Sequence, residues 1–330
     1  MRKILRWTGG ATAVLILSVA VRAARTSDDP QSATAPPPAS GVHAESPMSR
    51  CAPGGDAEPA DPSCGSIYII TVTASSETAY WNRNQCGQAE SQAEETVALA
   101  RKDESPQGKL TLASALTSLA GLYRCLGKPG RAEPLYREAL DIRTERLAPN
   151  DPDIAVSAMN LGDFFRDQRE YSSAEAFLQW AFLMGETPGG KASCVSGSAA
   201  YLLGKLHYDR AEYNRALQYD RQAYRIFETQ PECGRFNLAV AGVELSLTLL
   251  QGGGAREAES ISARAVAELK TELGDAHPQV ALALLAHAAC LRKLREGDRA
   301  TTEFAEAHRI LDDHAHSTAA MKVDSATMPK

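Results

Sequence analysis

One spacing constrains this chain more than any motif does. Leu119, Leu161, Leu203, Leu245 and His287 stand 42 residues apart. Thirteen residues after each comes an alanine: Ala132, Ala174, Ala216, Ala258 and Ala300. Twenty residues after each comes another: Ala139, Ala181, Ala223, Ala265 and Ala307. Five turns of one period without slippage specify a stack of repeated supersecondary units, because each unit buries its apolar face only against its neighbours.

The spacing inside a unit says what the unit is. Leu119 and Tyr123 lie four apart and share one helix face. Gly127 is a helix stop, and Lys128-Pro129-Gly130 does not continue that helix. Ala132, Tyr136 and Ala139 then fall on one face of a second helix. The alanines stand where two helices must approach closely. Each unit is therefore an antiparallel helix pair. Ala93, Val97 and Ala100 repeat the second-helix spacing within 88–101, which reads as half a repeat covering the first full one.

Leu161-Gly162 with Phe165, Leu203-Gly204, and the Ala132-Glu133-Pro134-Leu135-Tyr136 run resemble the tetratricopeptide repeat. That family usually has a period of about 34 residues. The longer period here is similar to the kinesin-light-chain type, as are Leu273-Gly274-Asp275-Ala276-His277-Pro278 and, more loosely, Leu147-Ala148-Pro149-Asn150-Asp151-Pro152 between repeats. The resemblance implies an all-α, right-handed solenoid of helix-turn-helix repeats over 87–312. It also implies that the first helices line a concave groove that takes a protein or peptide partner. Arg124, Asn160, Asp163, Tyr201, Lys205, Tyr208, Glu244 and Arg292 fall on that inward face and are the candidate peptide-binding residues. Tyr201, Lys205 and Tyr208 are the expected central anchors, in slots outside the core. Kinesin-light-chain repeats carry an asparagine that bonds a peptide backbone. Asn160 alone keeps it, with Ser118, Leu202, Glu244 and Ala286 in the equivalent slots.

Before the repeats the chain changes character. Arg2, Lys3 and Arg6 precede an apolar run from Ala11 to Val21, which reads as an export signal within 1–23. Cleavage is favoured over an uncleaved membrane anchor, although Arg22 and Arg25 follow closely. Residues 24–65, rich in Pro, Ala, Ser and Asp, have little to bury and are expected to be a disordered linker. Residues 66–86 include Ile67 to Thr73, the stretch with strong strand propensity, without a second strand beside it. Residues 313–330 read as a polar tail.

The net charge of −6, with both signs interspersed, argues against nucleic acid as the main ligand. Seven cysteines suit an oxidising compartment. Cys194 and Cys233 precede equivalent points of consecutive repeats and are candidates to staple them. Cys51 and Cys64 are candidates to close a short loop, and Cys125 and Cys290 are expected to be free. No Gly-rich phosphate loop, His-Glu-x-x-His or Cys-x-x-Cys is present, and no catalytic residue or cofactor is implied. His287 and Cys290 are three apart, with His308 on the helix that packs against them. His287 stands in a leucine slot and His308 at the terminal face, so polar capping is a better reading than a metal site. The expectation is a non-enzymatic interaction module exported to a bacterial envelope, in the periplasm, binding through its groove. The alternative is an inner-membrane-anchored scaffold that uses its convex face or its last repeat.

Overall fold

The computed structural model describes residues 83–185 and 193–324, with side chains over 89–185 and 193–314. The expected signal or anchor, the linker, the strand-like Ile67–Thr73, Cys51 and Cys64 all lie outside these residues. The described residues form eleven α-helices and one short 3-10 turn, with no strand among them. Helix α1 (Arg83–Ala100) is the half repeat. Five pairs follow: α2 (Pro106–Cys125) with α3 (Pro129–Arg146), and α4 (Pro152–Asp167) with α5 (Tyr171–Met184). Then come α6 (Cys194–Asp209) with α7 (Tyr213–Thr229), α8 (Arg235–Gln251) with α9 (Ala255–Leu273), and α10 (Pro278–Lys293) with α11 (Gly297–Asp324). Helix α11 runs on into the stretch expected to be a polar tail, as far as Asp324. No described helix is long and apolar enough to cross a membrane.

Each first helix packs on its own second helix, on the preceding second helix and on the first helices beside it. The periodic alanines make this possible. None of the ten is more than 2 % exposed. The residue after each leucine mark is small for the same reason. A Cβ at Gly162 would stand 2.8 Å from the Leu178 side chain, and one at Gly204 would stand 1.8 Å from Asp220 Oδ1.

The repeat also reaches the backbone. Gly127, Arg169, Ala211, Gly253 and Arg295, again 42 apart, all have positive φ, between 58° and 82°. Each ends a first helix in the left-handed conformation. In each, the next residue's N–H reaches back to close the last turn, as Lys128 N–H does to Tyr123 C=O and Glu212 N–H to His207 C=O, both at 2.8 Å. Three of the five are not glycine, so the stack holds them in a conformation that side chains disfavour. The helix starts are equally regular. Asp151, Ser193 and His277 cap first helices with their side chains, and Pro152 and Pro278 follow two of them.

Cys194, the first residue of α6, is disulfide-bonded to Cys233, which closes the 3-10 turn before α8; their Cα atoms are 5.3 Å apart. The third and fourth repeats are thus covalently joined. One expectation fails: Cys125 is disulfide-bonded rather than free. It ends a first helix and is only half-buried, so its sulfur is open to a partner that core packing would have shut out. Among the described residues Cys290 is a buried free thiol.

Two outcomes follow. Ala211→Gly should raise stability by about 0.5–1 kcal/mol, because relief of the left-handed strain exceeds glycine's extra freedom in the unfolded chain; a lower midpoint in thermal melts would contradict this. Replacing Cys194 and Cys233 by serine should cost about 2–4 kcal/mol in denaturant titrations, through loss of the unfolded-state constraint.

Candidate functional site

The repeat places the same face of every first helix in one row. Along that row, side chains reach from one first helix to the next with a sequence step of 43. Arg124 on α2 reaches Asp167 on α4, Arg166 on α4 reaches Asp209 on α6, and Gln251 on α8 donates to the Tyr208 hydroxyl on α6. These bonds join successive first helices along the face that carries the candidate residues.

At the centre of the charged part sits Asp163. Its Oδ2 accepts from Arg124 Nη2 at 3.0 Å and its Oδ1 from Arg166 Nε at 2.9 Å. Arg166 also donates to Asp209 at 2.7 Å and to Asp167 at 3.0 Å. Burial alone would raise the Asp163 pKa, but the Arg166 and Arg124 guanidiniums outweigh it and hold the carboxyl well below the usual range. The two cations and three carboxylates satisfy one another.

The next repeat continues the row with Tyr201, Lys205, Tyr208 and Glu244. Lys205 Nζ lies over the Tyr201 ring, 5.5 Å from its centroid. Burial works to lower the lysine pKa, yet the Tyr201 phenol and Glu244 keep the ammonium above its ordinary value. Tyr201 is only 5 % exposed and belongs to the main core. The expectation that it stands outside the core therefore fails: its ring is buried in the core cluster, with the Lys205 ammonium over it. Arg292 stands in the slot of α10 equivalent to that of Tyr208, two repeats further on. Its guanidinium lies 5.6 Å from the Phe304 ring on α11.

Asn160, one turn before Asp163, differs from its neighbours. It is 4 % exposed, and its Nδ2 has no hydrogen-bond partner among the described residues. A buried donor left unpaired costs about 1–3 kcal/mol. The seven grouped candidates thus divide into six that are engaged with other parts of the fold and one, Asn160, whose amide is not.

Two buried polar groups lie behind the row. Asp220 on α7 stands in the slot held by Tyr136, Leu178 and Phe304 in other repeats. It accepts from Thr248 Oγ1 at 2.6 Å, and its other oxygen is unpaired. Burial first, and Glu244 second, push its pKa well above the ordinary value. His287 is buried in its leucine slot, not at a wet face, with Nδ1 2.7 Å from Glu303 and Nε2 3.5 Å from Glu259. Cys290 accepts from Ser262 instead, and His308 is exposed. Among the described residues no three His, Cys, Asp or Glu side chains are arranged to hold a metal ion.

Sequence reading missed Asp167, Asp209 and Gln251. The step of 43 from a cation or hydroxyl on one first helix to an acceptor or donor on the next would have found them.

The tetratricopeptide-repeat family model matches residues 111–182. No curated protein matches the sequence. The crystal structure of BtubC (BKLC) from P. vanneervenii is similar, at 21% identity and a TM-score of 0.57, over 74% of this chain and 94% of that one. The apo form of RapI is similar at 18% identity and a TM-score of 0.51, over 75% of this chain and 83% of that one. At these identities the likeness establishes the fold.

The two buried aspartates give opposite expectations. Asp163→Asn should destabilise the fold by about 3–5 kcal/mol at neutral pH, because it leaves two guanidiniums short of their carboxylate. The Asp163 contribution is present above the unfolded-state pKa of about 3.9 and is lost only as pH falls through the lower folded-state value. For Asp220 the raised folded pKa reverses the sign. Its charge opposes folding as pH rises, so Asp220→Asn should raise the melting temperature at about pH 7 and change it little at about pH 4. Thermal melts of both variants across pH check this.

Proposed function

Because the chain is a tetratricopeptide-repeat protein with 42-residue repeats similar to the kinesin-light-chain type, a fold consistent with a protein–protein interaction module, we propose that it is a non-enzymatic binding protein that takes an extended polypeptide along its first-helix row. The observation that carries this reading is the buried, unpartnered Asn160 amide. An extended backbone carbonyl satisfies such a donor without regard to side-chain identity. The neighbouring charges are already paired, so the partner segment needs little charge of its own.

We place the protein outside the cytoplasm, in a bacterial envelope. The Cys194–Cys233 bond supports an oxidising compartment, and the basic and apolar stretch within 1–23 supports export.

The test uses peptides selected from a random phage library on the full chain. Asn160→Ala should weaken the selected peptides by about 1–3 kcal/mol, roughly five- to a hundredfold. Arg221→Ala, on a second helix away from the row, should leave them unchanged. Equal binding by wild type and Asn160→Ala, measured by fluorescence anisotropy, would remove the row as the site.

A further inference from the structure

The buried stripe of α3 consists of Ala132, Tyr136, Ala139, Leu140 and Arg143, and Arg143 is its one charged member. It is 5 % exposed. Its slot is a core slot of the stack. Later repeats place Phe227, 3 % exposed, and Leu269, 1 % exposed, at the same point of the period. A guanidinium therefore stands where the fold elsewhere buries an apolar side chain.

Its surroundings depart from the repeat with it. Ser157 on α4 stands where the other four first helices carry Ala115, Ala199, Ala241 and Ala283. Thr117 on α2 stands where the others carry Met159, Tyr201, Val243 and Leu285. Both replacements meet the guanidinium. Arg143 Nη1 donates to Ser157 Oγ at 2.6 Å and to Thr117 Oγ1 at 3.3 Å, and Nη2 donates to Ser114 Oγ at 3.2 Å. The hydroxyl protons are engaged elsewhere: Ser114, Thr117 and Ser157 donate to the carbonyls of Leu110, Ala113 and Asp153, one turn back. Toward Arg143 the three oxygens act as neutral acceptors.

Neutral acceptors do not balance a charge. A guanidinium has five N–H groups, and three bonds from Arg143 are accounted for by these hydroxyls. Arg124 and Arg166 each pair with Asp163, whereas Arg143 has no carboxylate in ion-pair contact among the described residues. Burial pushes the Arg143 pKa down, and Asp153 and Asp151 offset this only in part, from further off. A cation taken out of water recovers its lost solvation best beside an opposite charge. Ser114 is exposed, so one hydroxyl separates the guanidinium from solvent.

We propose that Arg143, framed by Ser114, Thr117 and Ser157, binds a small monovalent anion, a halide or a carboxylate, at the junction of the first and second full repeats. The anion supplies the counter-charge that α2, α3 and α4 do not provide there, so its binding stabilises that junction. Asp151 and Asp153 are near enough to act on the site, which disfavours a dianion. The site is independent of the peptide-binding reading above.

The experiment uses the full chain and sodium chloride as the probe. Binding is read from the line width of the chloride nuclear magnetic resonance signal. Wild type should broaden the line, and Arg143→Leu should weaken chloride binding at least about tenfold, because it removes the charged donor. Leucine stands in this slot at Leu269 and Leu311, and the three hydroxyls keep their backbone acceptors, so this variant retains its core. If its helical circular dichroism is nonetheless lost, Arg143→Gln carries the same test. Arg221→Ala, at an exposed site on α7, should broaden the line as wild type does. Sodium acetate should displace the chloride, and sodium sulfate at equal ionic strength should displace it less. In thermal melts, the gap between wild type and Arg143→Leu should be about 2–4 °C wider in chloride than in sulfate; taking the gap cancels the general effect of each salt.

Equal broadening by wild type and both Arg143 variants, or a melting gap that does not depend on the anion, would overturn the proposal. Displacement by sulfate that exceeds displacement by acetate would overturn it too, since the site would then prefer a dianion. An unbroadened chloride line together with a melting gap that widens in acetate would uphold the site and assign it to carboxylates.

Discussion

The close approach of two helices at alanine is the constraint on which the rest of this structure depends. Ala132 and Ala139, and their counterparts down to Ala300 and Ala307, let each second helix lie against a first helix with no side chain between them. Once that distance is set, other features become obligatory. The residue after each leucine mark must stay small, as Gly162 and Gly204 do. The turn between the helices must reverse within a few residues, which requires a left-handed residue at one fixed place. Arg169, Ala211 and Arg295 accept that conformation because the packing on both sides leaves no alternative.

Periodicity explains why so much of the fold was legible. Helix identity, order and register follow from positions that repeat, and the Cys194–Cys233 pair follows from equivalent points of adjacent units. What was not legible lies between repeats, where two residues about 43 apart must be read jointly. Arg124 looks like a free groove cation until Asp163 and Asp167 on the next first helix are placed beside it. Tyr201 looks like an exposed anchor until Lys205 folds across its ring. Cys125 was misread for a related reason: a helix end that is only half-buried leaves a sulfur reachable, and spacing alone does not record reach.

The charged row on the first helices therefore acts as an internal strut. Asp163 ties three consecutive first helices together, directly through Arg124 and through Arg166 to Asp209. In a quasi-one-dimensional fold, stability is a sum of units and junctions. A buried charge network spanning two junctions couples the first three repeats more strongly than apolar contact alone, since removing one member strands the others. The disulfide couples the third repeat to the fourth at the next junction.

Rigidity concentrated in the middle of the stack bears on what this groove can recognise. If the row is the binding site proposed above, its fixed curvature favours segments that are already extended over bulky or folded partners. Arg124, Asp163 and Arg166 are satisfied within the protein, whereas the Asn160 amide is left without a described partner. A site built this way would discriminate by backbone shape more than by sequence, and would be open to any extended segment of low charge. On the proposed reading, the same rigid, self-neutralised row leaves recognition to backbone hydrogen bonding at Asn160 rather than to charge pairing.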